Sequence, residues 1–188
     1  MEDLSLRFLL PLLLGWAGCW LAVHLLRGAA LYRMAKDAGL AAPGLAWVPV
    51  LNSGVLGALC DRATLCLTGQ LWYFRALLVV QDLVRLAVNM GFLRPWGVES
   101  TISPAFLLYG IALGWRPDLT LGAVLSIAFL VFNGIAFYRL YEDYIPERAA
   151  VFTLLSLLLG RPGQSLLLFL IRKDVPYSAI AQGGGGRG

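Results

Sequence analysis

Residues 119–138, LTLGAVLSIAFLVFNGIAFY, run for twenty positions without an Asp, Glu, Lys or Arg. As an α-helix they would extend about 30 Å, the thickness of a bilayer's hydrocarbon core. Residues 6–26, LRFLLPLLLGWAGCWLAVHLL, repeat the feature with one charge, Arg7. The whole chain of 188 residues is 59% hydrophobic and 14% charged, with a mean hydropathy of +0.75, so these runs point into lipid. Hydrocarbon offers backbone polar groups no water, and helices satisfy them internally. The expected fold class is therefore all-α: a polytopic integral membrane bundle of about five spans plus a re-entrant or interfacial segment.

The first run is read as a retained span. A secretory signal starts with basic residues, whereas Glu2 and Asp3 stand here, and no small-residue cleavage site follows before Arg27, Arg33 and Lys36. Acidic start and basic finish put the N-terminus outside. The net charge of +4 is scattered along the chain, so it reports orientation and not a nucleic-acid footprint. With five spans, Arg27, Arg33, Lys36, Arg62, Arg116, Arg172, Lys173 and Arg187 are cytoplasmic. Arg7, Arg94, Arg139 and Arg148 are then outside, a split of eight to four that favours a cytoplasmic C-terminus. If the next segment also crossed, the split would be six to six.

That segment, Gly39–Cys60, has no charge but holds Pro43, Pro49, Asn52, Ser53 and several glycines. These interrupt helical hydrogen bonding, so a re-entrant or interfacial hairpin over Pro43–Cys60, buried against its neighbours, is expected instead of a clean span. Before it, Arg33, Lys36 and Asp37 group on one side of a short surface helix. Further spans are expected at 102–115, at 119–138 behind the Arg116-Pro117-Asp118 turn, and at 149–171, which Arg161-Pro162-Gly163 breaks near its middle. Residues 1–175 form one helical domain, and 176–188, ending GGGGRG, form a flexible tail. Cys19, Cys60 and Cys66 make no CxxC pair and sit in apolar sequence, which suits buried free thiols.

One stretch breaks the greasy pattern. A helix from about Thr64 to Leu93 would carry ions in mid-span, in YFRALLVVQDLVRLAVNM. At about 100° per residue, Thr64, Thr68, Arg75, Asp82, Arg85 and Asn89 fall within an arc of about 100°. Arg75 and Arg94 lie about 28 Å apart and can anchor the two interfaces, which leaves Asp82 and Arg85 in the middle, spaced to pair. An isolated charge there costs about 3 kcal/mol, so the pair must face inward. Thr68, Arg75, Asp82, Arg85 and Asn89 are thus the candidate polar face. It reads as a clasp between helices, as a path for an ion, peptide or lipid headgroup, or as the wet side of an interfacial helix.

Other motifs say less. Gly110 and Gly114 form a GxxxG suited to close helix packing. His24 and Cys19 have no acidic companion in their span, so no metal site is expected. Leu51 spoils a GxSG at Ser53, no later His could serve as its base, and no phosphate loop or GxGD pair occurs. No catalytic residue and no cofactor site emerges. Tyr138, Tyr141 and Tyr144, with Glu142, Asp143 and Glu147, read as interface anchors or a docking patch.

Two segments carry a resemblance: YRMAKDAGLAAPGLAWVPVLNSGVLG, with its AKxxG and AWxPxxN patterns, and YRLYEDYIPERAAVFTLLSLL followed by FLIRKDVP. Covering about a third of the chain, they resemble multi-pass bacterial membrane proteins that share no agreed activity. The resemblance implies several hydrophobic helices in a bacterial cytoplasmic membrane and brings no catalytic residues. The resulting expectation is a non-enzymatic accessory or scaffolding component, partnered by the bilayer and by another membrane protein or a second copy, and not by nucleic acid. The alternative is a small transporter or exporter component with its path along Thr68, Arg75, Asp82, Arg85 and Asn89.

Overall fold

The computed structural model describes residues 2–92 and 121–178, and the regular structure among them is all helical. Those residues form α1 (Glu2–Asp37), α2 (Leu51–Thr68), α3 (Phe74–Asn89), α4 (Leu121–Tyr144), α5 (Ala149–Leu158) and α6 (Gly160–Ile171). Short 3-10 turns stand at Pro43–Trp47 and Pro146–Arg148. The expected span at 102–115, with Gly110 and Gly114, lies outside the described residues.

No separate surface helix follows the first span; α1 continues unbroken to Asp37. Its outer side does carry the expected polar group, with Arg33 paired to Asp37 at 3.7 Å. Its inner side is core: Ala30, Leu31, Met34 and Ala35 recur at helical spacing and are almost fully shielded. Gly39, at φ +68, ends the helix. The Leu40 N–H reaches the Ala35 carbonyl and the Gly39 N–H that of Lys36, closing a Schellman turn. The Arg62 guanidinium donates to the Ala38 carbonyl at the same helix end.

The hairpin expected over Pro43–Cys60 has a turn in its first part only. Past the Pro43–Trp47 turn, a continuous helix starts at Leu51 and runs through Asp61 and Arg62 to Thr68. Residues that read as backbone breakers are its contact face toward α3. A Cβ on Gly57 would sit 2.5 Å from the Arg75 Cα, and one on Gly54 would sit 3.0 Å from Val79. Small residues let the two backbones meet.

The single helix expected from Thr64 to Leu93 is instead two helices, α2 ending at Thr68 and α3 spanning Phe74–Asn89. Gly69, at φ +69, caps α2 by bonding its N–H to the Leu65 carbonyl. The chain then reverses within five residues, and Tyr73 enters α3 at φ +56, a left-handed conformation that few side chains adopt. Asp61 holds the new helix start from α2. Its Oδ1 accepts the Phe74 N–H at 2.6 Å and its Oδ2 the Arg75 N–H at 3.0 Å, an acid at a helix N-terminus.

The apolar run at 119–138 is helical from Leu121, and α4 carries on to Tyr144, past all three tyrosines read as anchors or a docking patch. Tyr141 and Tyr144 are therefore buried and not interface anchors, while Tyr138 stays exposed. The Tyr141 hydroxyl meets Ser156 Oγ on α5 at 2.7 Å. The break expected at Arg161-Pro162-Gly163 falls one step earlier, at Leu159 and Gly160 (φ +62). Pro162 sits in the first turn of α6, where its missing N–H costs little. After α6, Asp143 accepts the Ser178 N–H and hydroxyl at 2.7 Å each. Pro176 and Ser178 at the head of the expected tail are buried, and residues 179–188 lie outside the described part.

The core gathers Leu31, Met34, Leu56, Cys60, Phe137, Leu140, Leu168 and Ile171 from α1, α2, α4 and α6. Of the three cysteines only Cys60 is buried; Cys19 and Cys66 are exposed, against expectation, on outward helix faces. The N-terminal half of α1 leaves Leu12, Leu14, Trp16 and Trp20 open among the described residues. Two stretches, Pro11–Asp37 and Val124–Tyr144, are long and apolar enough to cross a membrane.

Candidate functional site: an arginine-lined cavity

Asp82 is the centre of the site, one of the few buried charges of the described chain. Antiparallel packing of α3 on α2 brings it to Ser53, whose hydroxyl donates to Oδ2 at 2.5 Å. From the start of α6, Arg161 Nη2 donates to Oδ1 at 3.0 Å. The expected Asp82–Arg85 pair does not form. Arg85 instead lies over the Phe129 ring of α4, 5.5 Å from its centroid, a cation–π contact. The carboxylate therefore ties α2, α3 and α6 together, with both oxygens engaged.

Around this knot lies a cavity of about 430 Å³, within the usual size range of small-molecule sites. Arg27, Ser53, Gln81, Asp82, Arg85 and Arg161 form its polar wall, with Asn133 and Gln164 beside them. Asn133 donates to Gln81 Oε1 at 3.0 Å and to the Phe129 carbonyl at 2.5 Å. Arg27, 7% exposed, donates from Nη1 to Gln164 Oε1 at 3.1 Å. Gln164 in turn donates to the Ser156 carbonyl at 3.3 Å. The Arg27 Nε is buried without a hydrogen-bond partner among the described residues. Three guanidiniums face one carboxylate, so the described lining carries a surplus of two positive charges. That arrangement attracts anions, and guanidinium planes suit phosphate or carboxylate oxygens in particular.

Of the face expected on one helix, the fold brings only Asp82 and Arg85 to the cavity. Thr68 is the last residue of α2; its hydroxyl donates to the Thr64 carbonyl at 2.8 Å. Arg75 is exposed at the start of α3 and lines a separate, mostly apolar hollow with Leu45, Leu51 and Val79. Asn89 is exposed at the end of α3. The reversal at Gly69–Tyr73 takes Thr68 off the helix, while Arg75 and Asn89 stay on α3 with Asp82 and Arg85 but stand at its two ends, outside the cavity lining.

Arg27, Ser53, Gln81, Asn133, Arg161 and Gln164 were not singled out as site residues from the sequence. Arg27 reads as a span-end charge and Arg161 as part of a break. A usable signal did exist: Asn133, Arg161 and Gln164 are polar positions inside otherwise apolar runs, as Asp82 is. His24, the chain's single histidine, places Nε2 3.0 Å from the Trp47 carbonyl, away from Ser53's bond to Asp82. No protein-family model, curated protein or solved structure matches this chain.

Proposed function

We propose that this chain is a multi-pass protein of a bacterial cytoplasmic membrane, working as a non-enzymatic accessory or scaffolding component. The observation that carries the reading is the Asp82 knot. A carboxylate bound by Ser53 and Arg161 fixes the mutual placement of three helices, and polar clasps of this kind hold bundles together where hydrophobicity cannot discriminate. The two long apolar helices and the open apolar face of α1 support a membrane setting. The basic residues favour an outside N-terminus and a cytoplasmic C-terminus on a count of five spans, which treats 64–93 as one crossing where α2 and α3 turn back on each other. Reporter fusions at residue 2 and residue 188 test it: an inside-only reporter active at the N-terminal site would overturn it.

The clasp is tested by membrane abundance. Asp82→Leu leaves Arg161 and Ser53 without their acceptor and lowers abundance. Combining it with Arg161→Leu restores much of the loss, because an apolar replacement of the whole pair is tolerated where a broken pair is not. Equal abundance of the wild type and Asp82→Leu would remove the clasp.

The cavity itself favours a second reading, that of a small transporter or exporter component. Its path would run past Asp82, Arg85 and Arg161 and not along the single-helix face, since Thr68, Arg75 and Asn89 stand apart from the cavity. That reading expects Asp82→Asn to abolish flux in a protein that still inserts at normal levels.

A further inference from the structure

Arg27 is the least expected feature of the molecule. A guanidinium more than nine-tenths buried, with Nε unpartnered among the described residues, is costly to keep. It also stands beside two further arginines and one carboxylate already engaged on both oxygens. The fold thus holds open an anion position that its own described acid does not fill.

Arg27, Arg161 and Pro162 have a second aspect. The same three residues form one wall of an adjoining groove of about 190 Å³, completed by Trp16, Trp20, Val23 and Pro49. Trp20 stacks flat on His24, with ring centroids 5.6 Å apart and planes 6° from parallel, giving the groove a flat aromatic side, with Asn52 and Ser165 also in its mostly apolar lining. A charged chamber and an aromatic groove on the outward face of α1 therefore adjoin at shared arginines. The matching ligand carries an anion at one end and hydrocarbon at the other.

We infer that the chamber and groove together bind an anionic phospholipid, its phosphate between Arg27, Arg85 and Arg161 and its first acyl segment against Trp16 and Trp20. This rests on the membrane reading above. The phosphate chemistry is shared with a free phosphate ion, but only the lipid uses the groove.

The test uses the full chain purified in a neutral detergent. Phosphatidylglycerol, phosphatidylcholine or inorganic phosphate is titrated in, and the melting temperature is followed. Phosphatidylglycerol raises it saturably and phosphatidylcholine does not. Arg85→Gln weakens the phosphatidylglycerol response by roughly tenfold in midpoint, the scale of one lost charge-assisted contact. Trp20→Ala, at a half-exposed position, weakens it by about fivefold and leaves any response to phosphate unchanged. Equal responses to the two lipids overturn the inference. So does a phosphate response as strong as that to phosphatidylglycerol and insensitive to Trp20→Ala, which would identify a soluble anion. Extraction of cell membranes with alkaline carbonate keeps the two readings apart: a chain that stays with the membrane yet ignores lipid charge refutes only the lipid site, whereas a chain released by carbonate refutes the membrane reading.

Discussion

The packed end of the bundle, around Leu31, Cys60, Tyr141 and Leu168, and the arginine chamber beside it bury polar side chains on different terms. At the packed end buried polar groups meet counterparts. Tyr141 meets Ser156, Asp143 holds Ser178, and the Cys60 thiol points to the Ala136 carbonyl at 3.3 Å. In the chamber the described charges do not balance, and Arg27 keeps a donor in reserve. The first region uses polarity to close a structure. The second maintains a field. A buried polar residue is thus informative less for being buried than for whether its bonding capacity is used up.

The largest expected effect lies where the two regions are joined, at the α2–α3 contact. Gly57→Leu drives a side chain into the Arg75 backbone, and the yield of monodisperse protein on size-exclusion chromatography should fall to near background. A normal elution profile would mean that the helices do not meet so closely. Next, Leu168→Ala opens a void in the packed end and should cost about 3 kcal/mol, read as a lower unfolding midpoint in mixed micelles. Tyr141→Phe removes one satisfied bond there and should cost about 1 kcal/mol in the same assay. Arg27→Met, the smallest, should differ in sign, leaving the midpoint unchanged or raising it by up to about 1 kcal/mol, since it removes a buried charge with unused capacity. If Arg27→Met destabilises as much as Leu168→Ala, the chamber is simply more packing and the contrast fails.

The parts legible in the sequence were those set by local chemistry. The charge-free run at 119–138 became α4, the run at 6–26 became part of α1, and the interruption near Arg161 became a real helix boundary. Asp82 and Arg85 stood out because ions within apolar sequence demand company. Their company was not legible. Arg161 is 79 positions from Asp82 and Ser53 is 29 positions from it, and no period or spacing links them. The reversal at Gly69–Tyr73 was hidden for a different reason. A lone glycine reads equally as a helix interior or a cap, and the second left-handed residue is a tyrosine, which gives no warning. In Gly54 and Gly57, smallness read as weakness of the backbone when it was room for a neighbour.

The Asp61 cap has a consequence in time. The hydrogen bonds that join α2 to α3, from Asp61 on Phe74 to Ser53 on Asp82, span at most 29 positions of chain. The pair can therefore assemble as soon as it leaves the ribosome, while Arg161 emerges 79 positions behind Asp82. At roughly 5–20 residues per second this is a delay of about 4–16 s. For that interval the Ser53 hydroxyl is the carboxylate's only partner within the newborn pair, so Ser53→Ala should harm the nascent chain more than the finished protein.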